Sequence, residues 1–348
     1  MIPLLVRTLN SLSKFALAVT IGAGLVSGEA AAQQATPTPG SAKAIFGAVT
    51  LPTQGPPKSI GFYAKGCLSG AVALPTDGPT WQAMRLSRNR RWGRPEMIAL
   101  LERLSRDAAK YDGWPGILVG DISQPRGGPM FNGHASHQIG LDADVWLTPM
   151  PARTLTTAER ESLPFTTMLD KNKFLTVDDK VWTASRARLL MRAASYPEVE
   201  RIFVNPAIKK KMCETWTGDR TNLGKLRPEY GHDSHFHIRI RCPAGSIGCK
   251  PQPAVAAGDG CGKPLAWWFT PEPWAKPKPG AKPPAKPREV MVSDLPKACQ
   301  TVLDEPPVTS AAVATFGAKA AAGTAATSTM PVSSAGTGST PPGDIPQQ

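Results

Sequence analysis

The chain has 348 residues, with 40 Lys and Arg against 27 Asp and Glu (a formal net charge of +13), 41% hydrophobic residues, six cysteines and only five histidines. This is enough chain for one large domain or two ordinary ones with a real core. The histidines fall into two clusters, His134 with His137 and His232 with His235 and His237, which excludes histidines scattered over a surface.

Residues 1–32 read as an export signal: Arg7 and Lys14 accompany an apolar run from Phe15 to Val26, and Ala30, Ala31 and Ala32 offer a cleavage site. The run is too short for a bilayer, and nothing later approaches the roughly twenty apolar residues of a transmembrane span. Residues 33–58 are expected to be a flexible N-terminal segment. Arg85, Arg88, Arg90, Arg91 and Arg94 then cluster. Such a cluster suits nucleic acid, an anionic surface or a substrate with carboxylates, or it is an arginine-rich solvated turn. Export argues against nucleic acid as a partner.

Pro95 opens a helix with Met97, Ile98, Leu101, Leu104 and Ala108 on one face. Gly116–Ile122 is strand-like, Ser185–Ala194 is a second helix burying Leu189 and Leu190, and Ile202–Val204 is a further strand. In the strand Leu141–Leu147, period-two alternation puts Asp142, Asp144 and Trp146 on one face and apolar residues on the other. In His235–Arg241 the same rule puts His235, His237, Arg239 and Arg241 together. Pairing these two strands would bring His235 and His237 beside Asp144, with His137 reaching over from the entering loop. Trp267 and Trp268 read as core and rim residues rather than a sugar-stacking platform.

The composition changes after residue 274. Residues 275–289 read as a Pro/Lys linker, 290–305 carry Cys299, which can tie them to the body, and 306–348 are expected to be a disordered Ala/Ser/Thr/Pro tail. Residues 33–274 keep 31 basic against 21 acidic side chains, so the body itself is cationic. The six cysteines fit three disulfides in an oxidising compartment, with the connectivity open.

A hydrolytic zinc site needs about three His, Asp or Glu ligands and one open position. His137, Asp144 and His237 supply that set. His235 shares the metal face and can bond the water or the developing oxyanion, and His232 can take a related role. His134 can either join the metal or orient its neighbours. Asp142 is left outside the ligand set, as a loop anchor or an arginine partner. No rival motif is found: Gly-x-Ser-x-Gly and His-Glu-x-x-His are absent, and Gly258–Lys263 lacks phosphate-loop spacing.

The stretch Gly133–Trp146 (GHASHQIGLDADVW), with Gly231–His237 (GHDSHFH) further on, resembles the penicillin-insensitive murein endopeptidases, within the wider group of lysostaphin-type and D-alanyl-D-alanine zinc peptidases. The likeness spans about residues 59–274. It implies an α+β fold in which a small antiparallel sheet carries the zinc site, flanked by helices and loops and stapled by disulfides. It implies zinc held by His137, Asp144 and His237, with His134 close enough to count as a ligand, and catalytic roles for His235 and His232. It also implies disulfides Cys67–Cys299, Cys213–Cys261 and Cys242–Cys249. The implied activity is cleavage of the D-alanyl to meso-diaminopimelyl cross-link of peptidoglycan in the periplasm, without sensitivity to β-lactams. A D,D-carboxypeptidase or D-Ala-D-Ala dipeptidase on the same zinc framework stays open, as does a non-catalytic peptidoglycan-binding module.

Overall fold

The computed structural model describes residues 38–276 and 288–318. The signal expected in residues 1–32, most of the linker and the end of the tail lie outside the described residues. The strands are β1 (Lys58–Phe62), β2 (Lys65–Ser69), β3 (Val72–Ala73), β4 (Asp77–Gly78), β5 (Trp81–Ala83), β6 (Trp92–Gly93), β7 (Ile117–Val119), β8 (Asp142–Trp146), β9 (Val199–Val204), β10 (Leu226–Pro228) and β11 (His235–Ile240). The α-helices are α1 (Ala42–Gly47), α2 (Pro95–Tyr111), α3 (Thr157–Ser162), α4 (Ala184–Ser195), α5 (Pro206–Thr215), α6 (Lys263–Trp267) and α7 (Ala298–Asp304). Among the described residues no helix is long and apolar enough to cross a membrane.

The α+β expectation holds, and the sheet is larger than expected. Seven strands run in the order β10-β9-β11-β8-β7-β5-β4, antiparallel through the centre, with parallel pairs β9–β10 and β5–β7 towards the two edges. The expected strand over Gly116–Ile122 is shorter because the chain turns aside after Val119. Gly120 and Asp121 still bond Asp144 through their backbones, but Ile122 donates instead to the Arg90 carbonyl.

One face of the sheet is apolar. Ala143 and Val145 of β8, Phe236, Ile238 and Ile240 of β11, and Ile202 and Val204 of β9 pack with Met97, Ile98, Leu101 and Leu104 of α2 and Leu189 and Leu190 of α4. Area removed from water at about 25 cal/mol per Å² makes this the main stabilising term. The opposite face carries the polar members of β8 and β11. The register is His237 opposite Asp144 and Arg239 opposite Asp142. A shift of one residue would carry the histidines into the apolar core.

Two segments outside the expected domain prove to be part of it. Residues 33–58 include α1, whose Ala42 and Phe46 are buried against Leu295, Val302 and the Cys67–Cys299 disulfide. An apolar face of that kind cannot stay flexible in water. The expected disordered tail is also corrected for residues 306–318. Ala314 packs on Leu68, Ala73 and Trp92, while Ala73 exchanges backbone bonds with Ala314 and Phe316. Small alanines pack closely here, which a count of large apolar residues does not register.

The three disulfides are Cys67–Cys299, Cys213–Cys261 and Cys242–Cys249, and no described cysteine is free. The first closes a sequence separation of 232 residues. Replacing Cys67 and Cys299 together by serine should cost about 2 to 5 kcal/mol of stability. Denaturant unfolding of the oxidised protein measures it. An unchanged midpoint would mean that α1 and α7 are held by packing alone.

Candidate metal centre

Asp144 sits at the centre of β8 with its carboxylate turned away from the core. Four imidazoles converge on it: His137 Nε2 at 3.4 Å, His134 Nε2 at 3.5 Å, His237 Nδ1 at 3.8 Å and His235 Nε2 at 3.9 Å. Asp144 is 5% exposed and forms no ion pair with a described arginine or lysine. Its Oδ1 and the Nε2 of His137 are both buried without a hydrogen-bond partner. Two such groups left facing each other are costly unless a further species satisfies both.

The tautomers are fixed from behind. His137 Nδ1 is 2.8 Å from the Ile122 carbonyl, so it must donate, and in the neutral ring it is Nε2 that turns its lone pair towards Asp144. His237 Nε2 is 2.8 Å from Asp142 Oδ1, which leaves Nδ1 facing Asp144. Both follow the carboxylate- or carbonyl-supported histidine pattern of metal sites. His232 donates from Nδ1 to the Tyr230 carbonyl at 2.7 Å, and its ring lies 5.0 Å from that of His235.

Asp142 is the anchor that the sequence reading allowed for. It is fully buried and accepts from the His137 backbone N–H at 3.1 Å, from His237 and from Arg239 Nε at 2.7 Å. His137 has a φ of 66°, a conformation uncommon outside glycine, and the Asp142 bond to its N–H helps to hold it there. Gly140, with a φ of 72°, admits the turn into β8, where a Cβ would stand 3.0 Å from the Arg94 nitrogen.

Asp121 was not singled out in the sequence. It follows β7 and is buried, accepting from Arg90 Nη1 at 2.9 Å and Arg88 Nη1 at 3.2 Å, with His134 Nε2 at 3.1 Å. Its only sequence signal was an acidic residue within a strand-like run, with nothing in its spacing to join it to His134. The arginine cluster is likewise no free basic patch. Arg85 lies 5.2 Å over the Trp146 ring, Arg91 donates to the Leu74 carbonyl, and Arg94 pairs with Glu96. Trp268 is buried against Tyr230, while Trp267 lies 39% exposed beside it.

The electrostatics follow from burial and these partners. Burial alone would raise all three carboxylates. His134, Arg90 and Arg88 instead hold Asp121 down at about 2, and Arg239 and His237 hold Asp142 lower still. Asp144 is held well below its usual range by His137, His235 and His134, without any permanent cation. Burial likewise opposes charge on the imidazoles. The Asp144 carboxylate outweighs it at His137, raising it to about 9, whereas burial and His137 push His237 down to about 3.

A divalent cation fits this arrangement. Tetrahedral ligands at about 2.0 Å from zinc lie roughly 3.3 Å apart, close to the separations found around Asp144. One ligand atom each from His134, His137 and Asp144 falls within a 4.8 Å group. His237 is outside that group, yet its Nδ1 is free and faces Asp144, whereas His134 Nε2 is shared with Asp121. The site opens into a cleft of about 400 Å³ lined by Phe203, Tyr230, His232, His237 and Arg239.

The profile of the family described as penicillin-insensitive murein endopeptidase matches residues 59–304. A protein of that name from Haemophilus influenzae is 46% identical over 252 residues, covering 71% of this chain and 82% of the relative. Namesakes from Yersinia enterocolitica and Salmonella newport are each 39% identical, over 256 and 257 residues, covering 74% of this chain and 89% and 90% of theirs. With the match running through both histidine clusters and all six cysteines, the chain belongs to the penicillin-insensitive murein endopeptidase family.

Proposed function

We propose that the chain is a zinc-dependent murein endopeptidase that hydrolyses the D-alanyl to meso-diaminopimelyl cross-link of peptidoglycan in the periplasm. The observation that carries the reading is a buried Asp144 carboxylate, faced by four imidazoles and paired with no described arginine or lysine. His137, Asp144 and His237 would hold the zinc, with His134 beside them. When bound, the metal supplies Lewis-acid polarisation of the scissile carbonyl and lowers the pKa of nearby water towards about 7.

The protein's own groups do the positioning and the proton handling. Asp142 and the Ile122 carbonyl keep His237 and His137 in the tautomers whose free nitrogens face Asp144. His235, part-exposed and 3.9 Å from Asp144, would take a proton from the attacking water and return it to the leaving amine. His232, with Nδ1 committed to Tyr230, presents an accepting Nε2 beside His235, so the two rings can share that proton. Every cysteine is consumed in a disulfide and no serine elbow is present, so a β-lactam has no nucleophile to acylate.

Cross-linked sacculi incubated with the purified protein should lose dimeric muropeptides to monomers; chelator should stop this and zinc restore it. Release of terminal D-Ala with the cross-links intact would move the assignment to a carboxypeptidase. Binding without any cleavage would make the chain a peptidoglycan-binding module.

His137→Ala and Asp144→Ala should lose metal and activity together, whereas His235→Ala should keep metal and lose turnover by about 100-fold or more. Elemental analysis beside the muropeptide assay separates these outcomes, and full activity of His235→Ala would remove its proposed role. Asp142→Asn should weaken zinc affinity by about 10- to 100-fold, measured by competition with a chromophoric chelator. Unchanged affinity would mean that Asp142 serves the fold only.

A further inference from the structure

A second cavity, of about 390 Å³, adjoins the metal cleft and shares Ala64, His134 and Ala135 with it. Its charged lining is Lys43 of α1, Lys65 at the start of β2, Arg288 and Asp294. Arg288 and Asp294 neutralise each other at 2.7 Å, and Asp294 also accepts from the Met291 N–H. Lys43 and Lys65 form no ion pair or hydrogen bond with a described residue. The lining therefore carries three cations, Lys43, Lys65 and Arg288, against the one carboxylate of Asp294, which Lys65 also helps to hold ionised; His134 belongs to the same lining, with Pro129, Ala135 and Val290 as apolar wall.

We infer that this cavity is a carboxylate-binding subsite for the amine side of the cross-link. The inference rests on the endopeptidase reading above. In the cross-link, the carbon that bears the scissile amide nitrogen also bears a free carboxylate. An amide carbonyl placed at Asp144 puts that carboxylate a few bonds away, in whichever space adjoins the metal site. The cavity on the His134 side offers cations for it and an apolar wall for the methylenes that follow.

The wall is built by parts of the chain far apart in sequence. The Ala42 N–H donates to the Val290 carbonyl at 2.8 Å, so α1 and the segment after the linker form one surface. Gln138 ties the end of the β1–β2 turn and the start of β2 to the His137 loop, donating to the Ala64 carbonyl at 3.0 Å and accepting from the Gly66 N–H at 3.1 Å. Lys65 is thus fixed relative to the metal ligands. Lys43 precedes the region matched by the family, which begins at residue 59.

The test compares two cross-linked dimers, one with the carboxylate on the carbon bearing the scissile nitrogen and one with a carboxamide there. The zinc-loaded full chain should favour the carboxylate dimer by about tenfold in kcat/KM, the scale of one charge-assisted hydrogen bond. The Lys43→Met/Lys65→Met double variant should bring that ratio to about one, mainly through KM, and circular dichroism should match the parent. A parent without preference, or a variant that keeps the full ratio, would overturn the subsite. If the parent cleaves neither dimer, the endopeptidase reading fails, and the subsite is judged by titration calorimetry with stem tripeptides ending in diaminopimelate or its carboxamide. Tighter binding of the carboxylate form that is lost in the double variant supports it; equal binding overturns it.

Discussion

A buried carboxylate that has no arginine or lysine partner is the demand around which this molecule is arranged. Moving an ion into a low-dielectric interior costs several kcal/mol unless something compensates it. Asp121 is compensated by Arg88 and Arg90, and Asp142 by Arg239. Asp144 has only imidazoles, which unlike an arginine can give up their proton and offer a lone pair to a metal. The arginines thus mark the two carboxylates that hold other groups in place and leave unneutralised the one that would hold a metal. That contrast also explains why Asp142 and Asp144, two residues apart on one strand face, do different work.

The central strands and the site were largely legible because both rest on period two. Alternation in Leu141–Leu147 and His235–Arg241 assigned the faces, and an antiparallel pairing placed His237 across from Asp144. Alternation cannot say which charged groups will pair across distant parts of the chain. The link from Arg90 through Asp121 to His134 joins residues from three separate loops, and no spacing rule connects them. The arginine cluster misled for the same reason, since composition counts charges but not their internal partners. Order in residues 306–318 was hidden too, because alanines packing on Trp92 look compositionally like a linker.

The two ends of the described chain are not ornaments on a finished domain. Helix α1 and the segment from residue 288 close over β2 and are held there by Cys67–Cys299, while Arg126 donates to the Val302 and Leu303 carbonyls from below. An enzyme that acts on murein works outside the cytosol, beyond the reach of its chaperones. A covalent clasp that restricts the unfolded chain is the economical way to keep such long-range closures formed. Here the clasp also packs against Ala42 and Phe46, so it holds the helix that carries Lys43.

Space around the candidate metal site bears on the choice between trimming a chain end and cutting within a cross-link. An enzyme that removes a terminal residue gains specificity from a wall just behind that residue, since the wall rejects longer chains. A cross-link has peptide on both sides of the scissile bond, so its enzyme must leave both sides open. In this protein the cleft over His237 and Tyr230 continues past His134 into a second cavity of similar size, with Ala64 and Ala135 common to both. The boundary between the two consists of small side chains and a histidine. Continuity of that kind suits an extended substrate laid across the centre better than a chain end pressed into a blind pocket.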